Sequence, residues 1–148
     1  MNNDFTHIIL ADDDEDDRDF FSDAFNDLKM QTKVSLFNDG LQLMNYLKNP
    51  ISVLPDILFL DLNMPFKSGL ECLYEIKASV KLKNIVIVIY STSASDEDVE
   101  ATFVSGANIY IKKPSNFDAL KKILKEVVTI NWHYQTSGLN KDNFLLKL

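Results

Sequence analysis

Cysteine is almost missing from this chain of 148 residues, with Cys72 the only one. No internal disulfide can form, and nothing points to an oxidising compartment. Long apolar runs are missing too: none approaches the roughly 20 residues that a membrane-spanning helix needs. The start, Met1-Asn2-Asn3-Asp4, lacks the basic residues and apolar core of a secretory signal. A cytoplasmic protein with no membrane partner is the expectation. Positive charge is in short supply, with 15 Lys and Arg against 22 Asp and Glu and a formal net charge of −7. Binding to a nucleic-acid backbone needs a basic face, so no nucleic-acid partner is expected, and no basic helix-turn-helix segment follows the domain. Internal repeats, low-complexity tracts and linkers are absent as well.

What is present is a composition of 46% hydrophobic and 25% charged residues, a globular balance at a length that suits one domain. Its most informative pattern is a pair of apolar runs that end in carboxylates. Ile8-Ile9-Leu10-Ala11 runs into Asp12-Asp13, and Ile57-Leu58-Phe59-Leu60 runs into Asp61. Short unbroken apolar runs read as strands buried on both faces. Strands are expected at residues 7–11, 33–37, 56–60, 85–90 and 108–111. Helical spacing of apolar residues fills the intervals. Phe20, Phe21, Ala24, Phe25 and Leu28 form one stripe, and Leu41, Met44 and Leu47 another. Ser95 and Asp98 resemble a helix start, Gly106 a helix end, and Ser115 a cap for the last helix. Strict alternation predicts an α/β fold, a doubly wound five-stranded parallel sheet with five helices. Residues 1–131 would form this domain. Residues 132–148, from Trp132-His133-Tyr134 to Phe144-Leu145-Leu146-Lys147-Leu148, have no clear period. They read as an extension, free to pack on the domain, to mediate a dimer or to stay disordered.

In such sheets ligands bind beyond the carboxyl ends of the strands. If the first and third strands are neighbours, Asp12, Asp13 and Asp61 meet there. Three carboxylates held together repel one another unless a cation intervenes, and a hard divalent ion such as Mg²⁺ takes such oxygen ligands. Asp12 and Asp13 are expected ligands. Asp14, Glu15, Asp16 and Asp17 are read only as acids that favour a helix N-terminus. Asp61 is the candidate nucleophile, since a carboxylate can accept a phosphoryl group. Ser91 ends the strand of β-branched residues and carries a hydroxyl donor, with Thr92 as a neighbouring candidate. Lys113, before Pro114, brings a positive point charge to the same edge.

In this order and spacing the residues resemble the receiver domain of two-component response regulators, over roughly residues 5–130. The matching pieces are Ile9-Leu10-Ala11-Asp12-Asp13, Asp61 with Pro65 and Gly69 following, Ser91, Gly106-Ala107 and Lys113-Pro114. The resemblance implies strand order 2-1-3-4-5 and Mg²⁺-dependent transfer of a phosphoryl group to Asp61. The donor would be a sensor histidine kinase or a histidine phosphotransfer protein. It further implies metal binding by Asp12, Asp13, Asp61 and the backbone carbonyl of Asn63, and phosphoryl contacts from Ser91 and Lys113. Tyr110 would be a switch aromatic and Lys113-Pro114 a cis bond. The acidic run and Ser91-Thr92-Ser93 are similar to stand-alone receivers, including phytochrome-associated ones, without an output domain. The expected role is signalling or phosphorelay rather than enzymatic turnover, with a homodimer possible. Two alternatives fit the same residues less well. A phosphorylation-independent binding module is usually marked by loss of the nucleophile or the metal ligands, all of which are retained. A Mg-dependent phosphatase with an aspartate nucleophile would carry an acid where Asn63 stands.

Overall fold

The computed structural model describes residues 5–130 and 144–146. Five strands alternate with five helices: β1 (Thr6–Ala11), α1 (Glu15–Leu28), β2 (Thr32–Phe37), α2 (Gly40–Lys48), β3 (Ile57–Leu60), α3 (Gly69–Lys77), β4 (Val86–Ser91), α4 (Asp96–Val104), β5 (Ile109–Lys112) and α5 (Phe117–Thr129). A two-residue strand, β6 (Leu145–Leu146), follows. All pairings are parallel, in the order β2-β1-β3-β4-β5-β6. The five-stranded doubly wound sheet is as the alternation predicts. The sixth strand is an addition that no period in the tail announced. Trp132, His133 and Tyr134 lie outside the described residues.

Both faces of the sheet are covered, which is why β1 and β3 read as continuous apolar runs. Ile8, Ile9, Leu10 and Ala11 are fully buried. Alternate residues serve two cores. Ile9, Leu58 and Ile89 pack with Leu43, Met44, Leu73, Ile76 and Val99 of α2, α3 and α4. Leu10, Phe59 and Ile111 pack with Phe21, Phe25, Leu120 and Leu124 of α1 and α5. Phe21 anchors this second core, its ring centroid 5.0 Å from that of Phe59 and 5.7 Å from that of Tyr90.

Helix ends follow local chemistry. Asp14 caps α1 by accepting from the Asp16 N–H at 2.9 Å, and Ser95 caps α4 by accepting from Asp98 at 3.2 Å. Gly106, at φ +97°, lies just past the end of α4, where a left-handed residue is needed. Two expectations are corrected. The cap of α5 is Asn116, not Ser115: its side chain accepts from Ala119 N–H at 2.9 Å. The helix starts at Phe117, whose ring lies tilted against Phe20 of α1 with centroids 5.5 Å apart. The Lys113–Pro114 bond is trans, in line with the ordinary preference of X–Pro bonds.

Candidate functional site

The sheet register brings the predicted residues to one edge. Ala11 is level with Leu60, and Ser91 with Lys112, so Asp12, Asp61 and Lys113 each stand one step past a strand end. Backbone hydrogen bonds continue the ladder beyond those ends. Asp12 N–H donates to Phe37 O at 3.0 Å, Asp61 N–H to Ala11 O at 3.0 Å and Lys113 N–H to Ser91 O at 2.8 Å. The pleat then sets direction. Leu10, Phe59 and Ile111 face α1 and α5, and Asp12, Asp61 and Lys113 stand two residues further along the same strands. Ser91 and Tyr110 follow the opposite alternation, with Ile89, towards α4.

The carboxylates converge. Oxygen atoms of Asp12, Asp13 and Asp61 all lie within 4.8 Å of one another. Asp12 is fully buried and Asp61 nearly so, while Asp13 is exposed. The Lys113 ammonium sits 2.8 Å from Asp12 Oδ2, 2.8 Å from Asp17 Oδ2 and 3.7 Å from Asp61 Oδ2. It also lies 5.4 Å from the centre of the Tyr90 ring, a favourable site for a cation. Asp17 therefore does more than favour a helix start. It is a third anionic partner of Lys113, in the first turn of α1, which sequence order alone did not reveal.

Burial is the main influence on the acids. It pushes Asp61 up to about 7; Asp12 and Asp13 push the same way, against Lys113 and the Asn63 backbone N–H. Burial also raises Asp12, opposed first by Lys113. For Lys113 burial disfavours the charge, but the close contacts with the Asp12 and Asp17 carboxylates and the field of Asp61 outweigh it and hold the ammonium above its ordinary range. One lysine thus leaves excess negative charge in the cluster. Asp12 Oδ1 accepts from Asp14 N–H at 3.0 Å, whereas the buried Oδ2 has only its ionic contact with Lys113 and no hydrogen bond of ordinary geometry. An under-satisfied buried carboxylate oxygen beside two further acids fits a hard divalent cation.

Ser91 is fully buried, and Thr92 is exposed. Ser91 Oγ accepts from the Ser93 N–H at 3.2 Å, and the Ser93 carbonyl accepts from the Tyr110 hydroxyl at 2.6 Å. Ser93 Oγ donates to Asp98 at 2.9 Å. Ser93 is a hub between the strand end, α4 and Tyr110, and nothing in the sequence distinguished it from Thr92. Asn63 lies exposed in the loop after Asp61. Gly69, on the far side of that loop, donates its N–H to Leu62 O at 3.0 Å. A side chain at Gly69 would overlap the Asp61 carbonyl oxygen, so only glycine permits this approach.

The sequence matches the response regulator receiver domain family over residues 8–125. The chain belongs to that family. Among curated relatives, the response regulator Rcp1 of a Synechocystis strain is 31% identical over 124 residues, covering 81% of this chain and 84% of that protein. A probable methanogenesis regulatory protein, FilR2 of Methanothrix harundinacea, is 31% identical over 123 residues, covering 81% of this chain and 79% of its own. Among solved structures, the phosphorylated cyanobacterial phytochrome response regulator RcpA superposes with a TM-score of 0.77 at 30% identity, covering 92% of this receiver and 97% of RcpA. The Mn²⁺-bound form of Rcp1 gives 0.76 at 30% identity, covering 86% and 94%. The resemblance to phytochrome-associated receivers is thus upheld, and the fold is the flavodoxin-like receiver fold. No helix among the described residues is long and apolar enough to cross a membrane.

Proposed function

We propose that this receiver accepts a phosphoryl group on Asp61 from a phosphohistidine of a sensor kinase or histidine phosphotransfer protein. The carrying observation is the buried Asp12–Asp61–Lys113 constellation at the aligned strand ends, with Asp13 at its open side. As an Asp61 oxygen forms its P–O bond, the P–N bond breaks, and the imidazole leaves after taking a proton. Lys113, already fixed by Asp12 and Asp17, offers positive charge to the incoming group without reorganisation. Ser91 would donate its hydroxyl to a phosphoryl oxygen on the other side. Asp12, Asp13, Asp61 and the Asn63 carbonyl would hold Mg²⁺, which neutralises phosphoryl charge when bound. The added charge would act on the loop after Ser91 and on Tyr110, altering the contact with a downstream protein. Residues 1–131 are taken as the receiver unit and 132–148 as its extension, with cytoplasmic signalling as the setting. The domain is a signalling module, and the only bond chemistry proposed is its own phosphorylation.

Incubation with Mg²⁺ and acetyl phosphate tests this reading. One phosphoryl mass should appear, mapped to Asp61, and should vanish in Asp61→Asn or in excess chelator. Unchanged labelling of Asp61→Asn would refute it.

A further inference from the structure

Phe144 lies on the face that Ser91 and Tyr110 share. Phe144 is fully buried, its ring centroid 5.3 Å from Phe103 of α4 and 6.1 Å from Tyr110 of β5. Leu145 and Leu146 pair with Tyr110 and Ile111 at the edge of the sheet. Tyr110 is therefore covered by the tail at its ring and tied at its hydroxyl to the Ser93 carbonyl. Ser93 in turn donates to Ser91. A continuous path of contacts leads from the tail, through one aromatic ring and one loop residue, to the hydroxyl at the carboxylate edge.

We propose that Phe144–Leu146 is an intramolecular regulatory strand whose docking on β5 holds Tyr110 inward and so sets the conformation of the 92–95 loop beside the acidic site. Phe144 is the lock. Without its ring, Tyr110 and Phe103 lose an apolar neighbour, and the inward Tyr110 position loses much of its advantage over an outward one. The Ser93 carbonyl then loses its donor, and the loop loses a restraint that Ser91 and Asp98 alone would have to replace. Linkage requires reciprocity: whatever draws Ser91 towards the acidic edge must change the docking of the tail by the same factor. That second statement rests on Asp61 accepting a phosphoryl group; the first does not.

The test uses the full chain and the variants Phe144→Ala and Phe144→Leu, with amide hydrogen exchange as the readout. Phe144→Ala should speed exchange at Ser93 and its loop neighbours by about fivefold or more, the lower end of ordinary coupling. Phe144→Leu, which retains apolar bulk, should restore most of the protection. Amides of β1 and β2 should not change, which separates loop release from global destabilisation. Unchanged exchange at residues 92–95 in Phe144→Ala would overturn the proposal, as would equal acceleration throughout the sheet. The second arm adds Mg²⁺ and acetyl phosphate, with phosphoryl occupancy followed by mass. Decay of the phosphoryl group should differ about fivefold between the parent chain and Phe144→Ala. Identical decay would sink the coupling. If the parent chain takes up no phosphoryl group, the function proposed for Asp61 fails, and the exchange arm decides the role of the tail by itself.

Discussion

Asp61→Asn should stabilise the cation-free protein at alkaline pH, by an amount that follows from burial. The Asp61 carboxyl is pushed up to about 7 in the folded chain, against about 3.9 when unfolded. Between those values the folded state keeps a proton that the unfolded state has lost. Stability therefore falls as pH rises from the lower value to the upper one, and then levels off. At 1.36 kcal/mol per unit the whole effect is about 4 kcal/mol, with roughly 2–3 kcal/mol falling between pH 5 and pH 8. Asn cannot ionise and can still accept from the Asn63 N–H. Urea unfolding in chelator should show the parent chain losing stability across that window and Asp61→Asn remaining nearly flat, so that the variant is the more stable at pH 8. Asp12, which burial also raises, leaves a residual slope of its own. Saturating Mg²⁺ should flatten the parent curve, with affinity rising from pH 5 to pH 8 as proton competition fades. An unchanged slope in Asp61→Asn, or a variant less stable at pH 8, would refute the assignment of this pH dependence to the Asp61 carboxylate.

Lys113→Met should be costly in the opposite sense. It leaves Asp12, Asp17 and Asp61 without their cation, a loss of about 3–5 kcal/mol for a buried pair broken on one side. Urea unfolding at pH 8 should register it, and Mg²⁺ should recover more stability in the variant than in the parent. Gly69→Ala should displace the Asp61 backbone, because the new Cβ overlaps its carbonyl oxygen. A loss of about 2 kcal/mol or more, with slower uptake from acetyl phosphate, is expected, and an unperturbed melt would contradict it. Cys72 is fully buried, and burial pushes its thiol up to about 12. Iodoacetamide at pH 8 should label it only as fast as the chain unfolds, a rate that urea should accelerate.

The sequence made the site legible because its parts obey local rules. A carboxylate after an unbroken apolar run announces a strand end, and parallel pairing of β1 with β3 carries two such ends to one place. Lys113 and Ser91 were readable for the same reason, as polar residues where β5 and β4 stop. Relations that depend on distant packing were not readable. Asp17 lay within an acidic run that the helix dipole already explained, and only the fold brings it against a lysine 96 positions away. Ser93 and Thr92 are alike as neighbours in the sequence. The Tyr110 hydroxyl separates them, because it can reach the carbonyl of one of them. The tail is the clearest case. Two residues of β6 are too few to show a period of two, and Phe144 gains its meaning from Phe103 and Tyr110, far away in the chain. A short apolar cluster can therefore look like an unpartnered surface in one dimension and be the lid of a core in three. In this receiver the lid rests on the residue that ties the β4–α4 loop to the sheet. That contact is the reason to expect the energetics of Phe144 and of the loop to be coupled, as the hydrogen-exchange test would show.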